Sequence, residues 1–468
     1  MKLSRRQVMA LSAASAAMAG FGAQAKMFAG EAQAAPAMAQ EPSPEMRMEW
    51  RNWSGYRTCL PELRWAPADE AELASRIAEL PGPIRAVGAG HSFSNIVPTD
   101  GTLLTLDRLS GLISTSPTHA RFHAGTRLYQ AAQALSEYDR AMMIMPDINK
   151  QTYAGAISTA THGTGLDRQA LPAYVTGLRL VTVGGEVLEC NANQNVEVFE
   201  AARVSLGSIG VLTEIETEVQ PFHRLKKEEW FAPLDEVMDA APDMAATHRH
   251  WEAYYFPYTG MGMNVVNNIT EDPIDRDTSR NDNDDIMELR TFEGLTHWIP
   301  PVRRWLSRQL MSDVGSTVEV DDYWKMLSSE QRSVRFNEME YHVPADVGPA
   351  CFREVIAAIE QARVRVFFPF EFRYIKGDDL WLSPFSGGDR CSIAIHRYFE
   401  EDPEPIQAVV EPIFRRYGGR PHWGKMNNLS APDLAALYPH WEEFNVVRRE
   451  LDPEGRLLTP AMRQVLGA

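Results

Sequence analysis

The sequence has little material for metal sites. Its four cysteines, Cys59, Cys190, Cys351 and Cys391, lie far apart and form no CxxC motif. This spacing argues against zinc, but it leaves up to two disulfides possible in an oxidising compartment. The acidic run at 281–285 lacks the loop glycine and the terminal glutamate of an EF-hand, so we expect a solvated loop there. We therefore expect no metal in this protein.

Positive charge and long apolar runs are also scarce. The chain has 46 lysines and arginines against 63 aspartates and glutamates, for a formal net charge of -17. Such a surface repels phosphate groups, so we expect no binding of nucleic acid. No stretch approaches the roughly 18 apolar residues of a membrane-spanning helix, so we expect no stable membrane span. The chain is long enough, at 468 residues and 44% hydrophobic, to bury a large core in two or three domains.

The N-terminal region is typical of an export signal. In residues 1–35, the pair Arg5 and Arg6 precedes a weakly apolar, alanine-rich stretch from Val8 to Phe21. This pattern predicts a twin-arginine signal peptide, followed by a linker over 36–49. The twin-arginine machinery carries folded proteins, often with a cofactor already bound. We therefore expect a periplasmic or secreted protein that depends on this machinery as a partner.

The first motif with chemical content is a small-residue turn that follows the predicted strand 84–87. It consists of Gly88, Ala89, Gly90, His91 and Ser92. Glycine is needed where the backbone approaches a ligand closely, and the serine offers a hydroxyl to that ligand. His91 would touch the ligand itself. A lone turn of this kind is weak evidence, because a structural histidine in a glycine turn is common.

A second loop, over 151–165, crowds small residues and hydroxyl groups together. Backbone N–H and hydroxyl donors in such a loop suit a pyrophosphate, although an ordinary Gly/Thr turn has the same composition. The candidate cofactor-binding residues in this loop are Gly155, Ser158, Thr161, His162 and Gly163.

The predicted strand at 364–373 carries a possible catalytic pair. Because side chains alternate along a strand, Glu371 and Arg373 share one face, while Phe370, Phe372 and Tyr374 share the other. A carboxylate beside a guanidinium could orient a polyhydroxylated substrate. An ion pair on the protein surface is the alternative.

Two further polar residues are candidates for the same site. His396, in the predicted strand 391–399, shares its face with Ser392 and Ala394, and either a structural or a substrate-pocket role fits it. Lys425 ends the stretch Pro421-His422-Trp423-Gly424-Lys425. Lone lysines are usually solvated, so an active-site role for Lys425 rests on the resemblance described next.

Four motifs, in their residues and in their order along the chain, resemble those of the vanillyl-alcohol oxidase-type flavoproteins. The motifs are the GAGHS turn, the Gly/Thr loop, FEFR at 370–373 and PHWGK at 421–425. The most similar branch is that of sugar-1,4-lactone oxidases and alditol oxidases. The resemblance runs from about residue 50 to the C-terminus, with a poorly matching stretch around 265–320.

This resemblance implies an α+β, two-domain flavoprotein. A PCMH-type FAD-binding domain would occupy 50–222, an α+β substrate or cap domain 223–420, and a C-terminal segment, 421–468, would return to the FAD domain. A third stretch then joins the cofactor-binding candidates, with Gly207, Gly210 and Val211. A glycine-rich turn before a strand explains that stretch equally well.

The resemblance also implies a reaction. FAD, covalently bound through its 8α-methyl group to His91, would take a hydride at N5 from a C–H of a sugar lactone or related polyol. Glu371 and Arg373 would bind the reacting hydroxyl and Lys425 would offset negative charge, while molecular oxygen would reoxidise the flavin and yield hydrogen peroxide. Three alternatives remain open: a dehydrogenase with a quinone or cytochrome acceptor, an alditol oxidase, and an exported sugar-binding protein without redox chemistry.

Overall fold

The computed structural model describes residues 47–277, 282–329 and 333–468. The predicted signal peptide and most of the predicted linker lie outside these residues. In the described part of the chain, no helix is both long and apolar enough to cross a membrane. All four cysteines are free thiols, so neither of the two possible disulfides forms in this structure.

The first part of the chain builds two small sheets. A two-stranded ribbon pairs β1 (Trp50–Arg51) with β2 (Thr58–Cys59). The parallel sheet contains β3 (Leu63–Trp65), β4 (Ile84–Ala86) and β5 (Thr102–Leu104), in the order β3-β5-β4. The GAGHS turn begins at Gly88, two residues after β4 ends at Ala86, in the connection by which the chain leaves this parallel sheet.

A larger antiparallel sheet completes this domain. Its strands are β6 (Leu112–Thr115), β7 (His119–His123), β8 (Arg140–Met142), β9 (Val175–Val181), β10 (Val187–Asn191) and β11 (Val211–Pro221). Their order is β10-β9-β11-β7-β6, with β8 paired to the end of β11. The helices are α1 (Glu70–Arg76), α2 (Leu128–Ser136), α3 (Tyr153–Ser158) and α4 (Val196–Arg203), with 3-10 turns at Ile77–Glu79 and Leu171–Tyr174.

An eight-stranded sheet dominates the second domain. Its strands are β12 (Arg224–Pro233), β13 (His250–Phe256), β14 (Met261–Thr270), β15 (Thr317–Asp322), β16 (Phe336–Pro344), β17 (Phe370–Ile375), β18 (Arg390–Tyr398) and β19 (Arg420–Pro421). Their order is β15-β12-β14-β13-β17-β18-β16-β19. The helices are α5 (Leu234–Thr247), α6 (Asp282–Thr296), α7 (Pro300–Ser312), α8 (Tyr323–Leu327), α9 (Gly348–Gln361) and α10 (Glu404–Arg416), with a 3-10 turn at Ala345–Val347.

The two faces of this sheet have different partners. On one face Phe372 of β17 packs against Phe352 of α9, with ring centroids 5.4 Å apart. As the alternation along β17 predicts, Glu371 and Arg373 share the opposite face. This face lines a cavity together with residues of the first domain. A polar sheet face covered by another domain is the setting of the candidate site.

The last residues form α11 (Ala431–Leu437), α12 (Trp441–Leu451) and α13 (Pro460–Leu466). This segment bonds to the first domain: the Ile84 amide donates to the Arg456 carbonyl at 2.7 Å. The chain is an α+β protein of two domains, and its C-terminal segment packs against the domain with which the chain begins.

Two sequence-based expectations in the second domain are wrong. The acidic run at 281–285 is not a solvated loop, because α6 begins at Asp282, while Asn281 lies outside the described residues. Acidic residues at a helix N-terminus interact favourably with the helix dipole, which makes the run compatible with a helix start. Residues 364–369 are not a strand either; Pro369, which has no N–H to donate, directly precedes β17.

Candidate functional site

The first cavity lies where the GAGHS turn meets the Gly/Thr loop. It spans about 930 Å³ including its open mouth, within the range of small-molecule sites. Nine of the predicted cofactor-binding residues line it: Gly88, Ala89, Gly90, His91, Ser92, Gly155, Ser158, Gly207 and Gly210. Three separate stretches of the sequence thus converge on one cavity.

Steric crowding explains the glycine at the start of this turn. A Cβ on Gly88 would lie only 2.1 Å from Thr152 Oγ1. Thr152 is itself held in place, because its hydroxyl accepts a hydrogen bond from the Gly155 amide at the start of α3. Bare backbone and short hydroxyl side chains therefore line the cavity, which suits a dinucleotide that lies against the main chain.

A second cavity opens between the two domains. It is lined from the first domain by Trp53, His91, Ser92, Phe93, Pro146, Asp147, Ile148, Gln151, Thr159, Thr161 and His162, and from the second by Phe336, Glu338, Glu340, Glu371, Arg373, His396, His422, Gly424 and Lys425. It shares four residues with the first cavity: His91, Ser92, Gln151 and Thr159. The two cavities are therefore neighbours, and His91 stands at their junction.

The pairing register of the strands places the polar residues of the second cavity next to one another. One row across the sheet runs Tyr254, Glu371, Ala394 and Glu340, and the next runs Glu252, Arg373, Ser392 and His342. A further pair opposes Glu338 and His396. Because paired residues point to the same side, four strands contribute to one polar surface.

Arg373 is the centre of the first charge cluster. Its Nε donates to Glu252 Oε2 at 2.6 Å, and its guanidinium also bonds to Glu371. Tyr254 Oη donates to Glu371 at 2.8 Å. Burial opposes the charge of Arg373, but Glu252 and Glu371 outweigh it and raise the pKa of the guanidinium. Glu371 and Arg373 are each only 7% exposed, so they are not a surface ion pair.

Lys425 is the centre of the second cluster. Its ammonium bonds to Glu338 and lies 3.8 Å from Glu340 Oε2. Glu340 also accepts bonds from His162 Nε2, at 2.9 Å, and from the Ser392 hydroxyl. Burial opposes its charge, but the neighbouring His162 and Lys425 hold the pKa of Glu340 well below its ordinary value. Lys425 is therefore fixed by carboxylates rather than solvated.

Both ring nitrogens of His162 have hydrogen-bond partners. One ring nitrogen lies 2.9 Å from the Gly163 carbonyl and the other lies 2.9 Å from the Glu340 carboxylate. These two contacts fix the orientation of the imidazole ring. His162, Glu340 and His342 also form a group whose ligand atoms lie within 4.8 Å of one another. His162 would have to break its bond to Glu340 before it could bind a metal there.

His396 and His422, which also line the second cavity, have different surroundings. His396 Nδ1 donates to the Pro369 carbonyl at 3.1 Å, and Nε2 lies 3.8 Å from Glu338 Oε1. His422 Nδ1 accepts a bond from the Gly424 amide at 3.0 Å, and burial lowers the pKa of this imidazole to about 3. His422 is thus neutral at physiological pH, with its proton on Nε2.

Four of the predicted cofactor-binding residues do not line the first cavity. Thr161 and His162 line the second cavity rather than the first, while Gly163 and Val211 line neither. A Cβ on Gly163 would lie 2.6 Å from the Met145 carbonyl, so this glycine allows close backbone packing. Val211 begins β11 and is 1% exposed, which is a core position.

Sequence reasoning missed several residues of the site. They are Glu252, Tyr254, Glu338, Glu340 and His422. A signal was present for two of them, because Glu338, Glu340 and His342 alternate with Met339, Tyr341 and Val343 along β16. That period-2 pattern is also typical of a sheet face in contact with water, so by itself it does not indicate a site.

Comparison with known proteins decides the family. Residues 61–191 match the family model of an FAD binding domain, and residues 215–465 match the model described as D-arabinono-1,4-lactone oxidase. The chain belongs to the D-arabinono-1,4-lactone oxidase family. The predicted resemblance to vanillyl-alcohol oxidase-type flavoproteins is thereby confirmed, and so is FAD as the cofactor. The first cavity, with its bare backbone and hydroxyl groups, fits that cofactor.

Relatives cover nearly the whole described chain. L-gulono-1,4-lactone dehydrogenase of Mycobacterium tuberculosis is 34% identical over 429 residues, which are 89% of this chain and 99% of the relative. L-gulonolactone oxidase of Scyliorhinus torazame is 28% identical over 88% of this chain and 97% of its own length. Alditol oxidase of a Streptomyces species is 26% identical, with 89% and 98% covered.

A solved structure shares the fold. Cholesterol oxidase from B. sterolicum superposes with a TM-score of 0.71 at 15% sequence identity, and the match covers 92% of this chain and all of the other. At this level of identity the likeness concerns the two-domain fold alone.

Proposed function

We propose that this flavoprotein oxidises a CH–OH group of a neutral sugar-1,4-lactone or a related polyol. The observation that carries this proposal is the second cavity. It adjoins the first cavity through four shared residues and presents two carboxylate–cation pairs, the buried pair Glu371 with Arg373 and the partly buried pair Glu338 with Lys425. Such pairs bind hydroxyl groups as both donors and acceptors. Binding of FAD removes the support for a sugar-binding protein without redox chemistry.

The side chains divide the work of the reaction between them. FAD supplies an acceptor for the hydride that leaves the substrate carbon. Glu371 accepts a hydrogen bond from the reacting hydroxyl and is positioned to take its proton, while Arg373 stabilises negative charge that develops on that oxygen. Lys425, held by Glu338, binds a neighbouring hydroxyl and adds positive charge to the same side of the cavity. His396 lies beside Glu338 in the lining of the second cavity.

Charge selects the substrate class. Four carboxylates line the cavity, namely Asp147, Glu338, Glu340 and Glu371, against the cations Arg373 and Lys425. Each of these cations is already paired with a carboxylate of the protein. Among the described residues of the lining, no lysine or arginine is left to pair with a substrate carboxylate or phosphate, so the desolvation of such an anion would go uncompensated. Lactones and polyols are neutral and avoid this penalty.

The proposed activity is tested by anaerobic stopped-flow reduction of the flavin. L-gulono-1,4-lactone, D-arabinono-1,4-lactone and xylitol are compared with the open-chain aldonates that result from lactone hydrolysis. We expect at least one neutral compound to bleach the flavin and the aldonates to leave it oxidised. Reduction by the aldonates but not by the lactones would overturn the charge argument, and no reduction by any compound would overturn the proposed substrate class.

Molecular oxygen is the acceptor we propose, with hydrogen peroxide as the product. A second candidate acceptor is a quinone or a cytochrome, because the mycobacterial relative is named a dehydrogenase. Rapid mixing of the reduced enzyme with oxygen separates the two. Fast reoxidation with one peroxide per flavin supports the oxidase, whereas slow reoxidation that a soluble quinone accelerates supports the dehydrogenase.

We also propose that His91 holds FAD covalently. His91 lines both cavities, so it stands where a flavin could reach from one into the other, and its ring lies 5.4 Å from that of Trp53. Acid precipitation of the wild type should leave the yellow colour with the protein. His91→Ala should release all the flavin into the supernatant while the chain remains folded. Complete release from the wild type would sink the covalent link but not FAD binding.

Export by the twin-arginine machinery is a separate proposal, supported by Arg5 and Arg6 ahead of a weakly apolar stretch. Replacement of both arginines by lysine should strand the protein in the cytoplasm with its flavin bound. Cell fractionation followed by an immunoblot makes the comparison. Unchanged export of the double variant would point to the general secretory route.

A further inference from the structure

Arg85 is a buried cation that lines the first cavity, the one that fits FAD. It belongs to β4, three residues before Gly88, and its side chain is only 2% exposed. Among the residues of the described chain that line this cavity, Arg85 is the only lysine or arginine, and no aspartate or glutamate lines it. FAD carries a diphosphate with negative charge, which needs a counter-charge when water is excluded.

The hydrogen bonds of Arg85 leave donors to spare. One terminal nitrogen donates to the carbonyls of Gly207 and Leu457, each at 3.0 Å, and the other donates to the carbonyl of Leu206 at 2.8 Å. A guanidinium has five N–H groups, so three of them are used and two remain. Its Nε is buried and has no partner among the described atoms.

The charge of Arg85 is also uncompensated. Within the described residues it forms no ion pair, and its acceptors are neutral carbonyl groups. Burial lowers the pKa of this guanidinium to about 10, which still leaves it protonated at neutral pH. A lone buried charge is costly unless an opposite charge joins it. The cavity beside it is the place from which such a charge can come.

We propose that Arg85 is the counter-charge for the diphosphate of FAD. Its two remaining donors and its positive charge serve the cofactor, while its other three bonds tie the Leu206–Gly207 turn and the C-terminal segment at Leu457 to the same cavity. Binding of the diphosphate thereby stabilises the contact between the C-terminal segment and the first domain.

The chain contains a matched control in Arg456. This arginine also donates to three backbone carbonyls, those of Val183, Ile77 and Leu80. It is half-buried and lines neither cavity. A variant of Arg456 therefore loses a comparable set of structural bonds without the loss of a charge beside the cofactor.

The test uses the full-length His91→Ala chain, in which the flavin can exchange, with R85Q, R85K or R456Q added. Each protein is titrated with FAD, with ADP and with riboflavin, and its melting temperature is measured. ADP has the diphosphate without the flavin ring, and riboflavin has the ring without the diphosphate. Glutamine keeps two N–H donors but no charge, whereas lysine keeps the charge but cannot bridge three carbonyls.

We expect R85Q to weaken FAD and ADP binding by about 10- to 150-fold, the range for a lost charged hydrogen bond, and to leave riboflavin binding unchanged. R85K should lower the melting temperature yet bind ADP within a few-fold of its parent, and R456Q should lose stability only. Normal ADP binding by R85Q, or equal losses for all three ligands, would overturn the proposal. If R85Q fails to fold, the ADP affinity of R85K tests the proposal. A purely structural role for Arg85 predicts that R85K loses ADP affinity as well.

Discussion

Arg373→Lys is expected to lower the rate constant of flavin reduction by roughly 10²-fold or more, because stabilisation of a developing oxyanion typically has this value. Lysine keeps the positive charge but offers a point donor in place of a planar fork. Arg373 bonds to Glu252 and Glu371 at once, and one ammonium cannot reproduce that geometry. Glu371 would then lose its orientation toward the reacting hydroxyl. Anaerobic stopped-flow with the preferred lactone measures the effect.

Stability is a second readout for this pair. Arg373→Ala would leave two buried carboxylates without their counter-ion, so it should cost about 3–5 kcal/mol, in contrast to the small change expected for a solvated cleft. Arg449→Lys is the matched control, since Arg449 bonds to Glu442 with both side chains at least half exposed. The control should leave reduction and melting temperature unchanged. Normal reduction by R373K with intact flavin would remove Arg373 from the mechanism.

Glu340→Gln is expected to destabilise the protein by about 3–5 kcal/mol, since it breaks a buried charge network. The carboxylate is buried and holds His162, Lys425 and the Ser392 hydroxyl at the junction of the two domains. Glutamine has almost the same shape but no charge, so the Lys425 ammonium would lose a counter-charge and His162 would lose its carboxylate partner. Thermal melting of the holoenzyme at neutral pH measures the loss.

The pH dependence of this effect has a defined sign. Because the folded-state pKa of Glu340 lies well below its ordinary value of 4.5, its charge stabilises the fold above that pH and the contribution is lost as the pH falls further. The difference in melting temperature between wild type and E340Q should therefore narrow under acid conditions. Glu442→Gln, at an exposed ion pair, serves as the control with little change at any pH. A constant difference from neutral to acid pH would contradict the ionised state of Glu340.

Local geometry explains which parts of this protein are readable from the sequence. The GAGHS turn and the Gly/Thr loop are recognisable because the absence of a side chain is a local property, and the 2.1 Å gap above Gly88 shows how little space remains there. The shared face of Glu371 and Arg373 follows from the two-residue period of a strand, which depends only on neighbours in the chain. Motif order then led to the family and to FAD.

Tertiary structure alone decided the partners of these residues. Arg373 bonds to Glu252 across 121 positions of sequence, and Glu340 bonds to His162 across 178. The polar alternation along β16 reads as a face in contact with water, but the first domain covers it. Burial turns these carboxylates from solvated side chains into a charge network, and burial depends on which domain packs against the sheet. A one-dimensional pattern determines the direction of a side chain, whereas its environment is determined only when distant strands and domains come together.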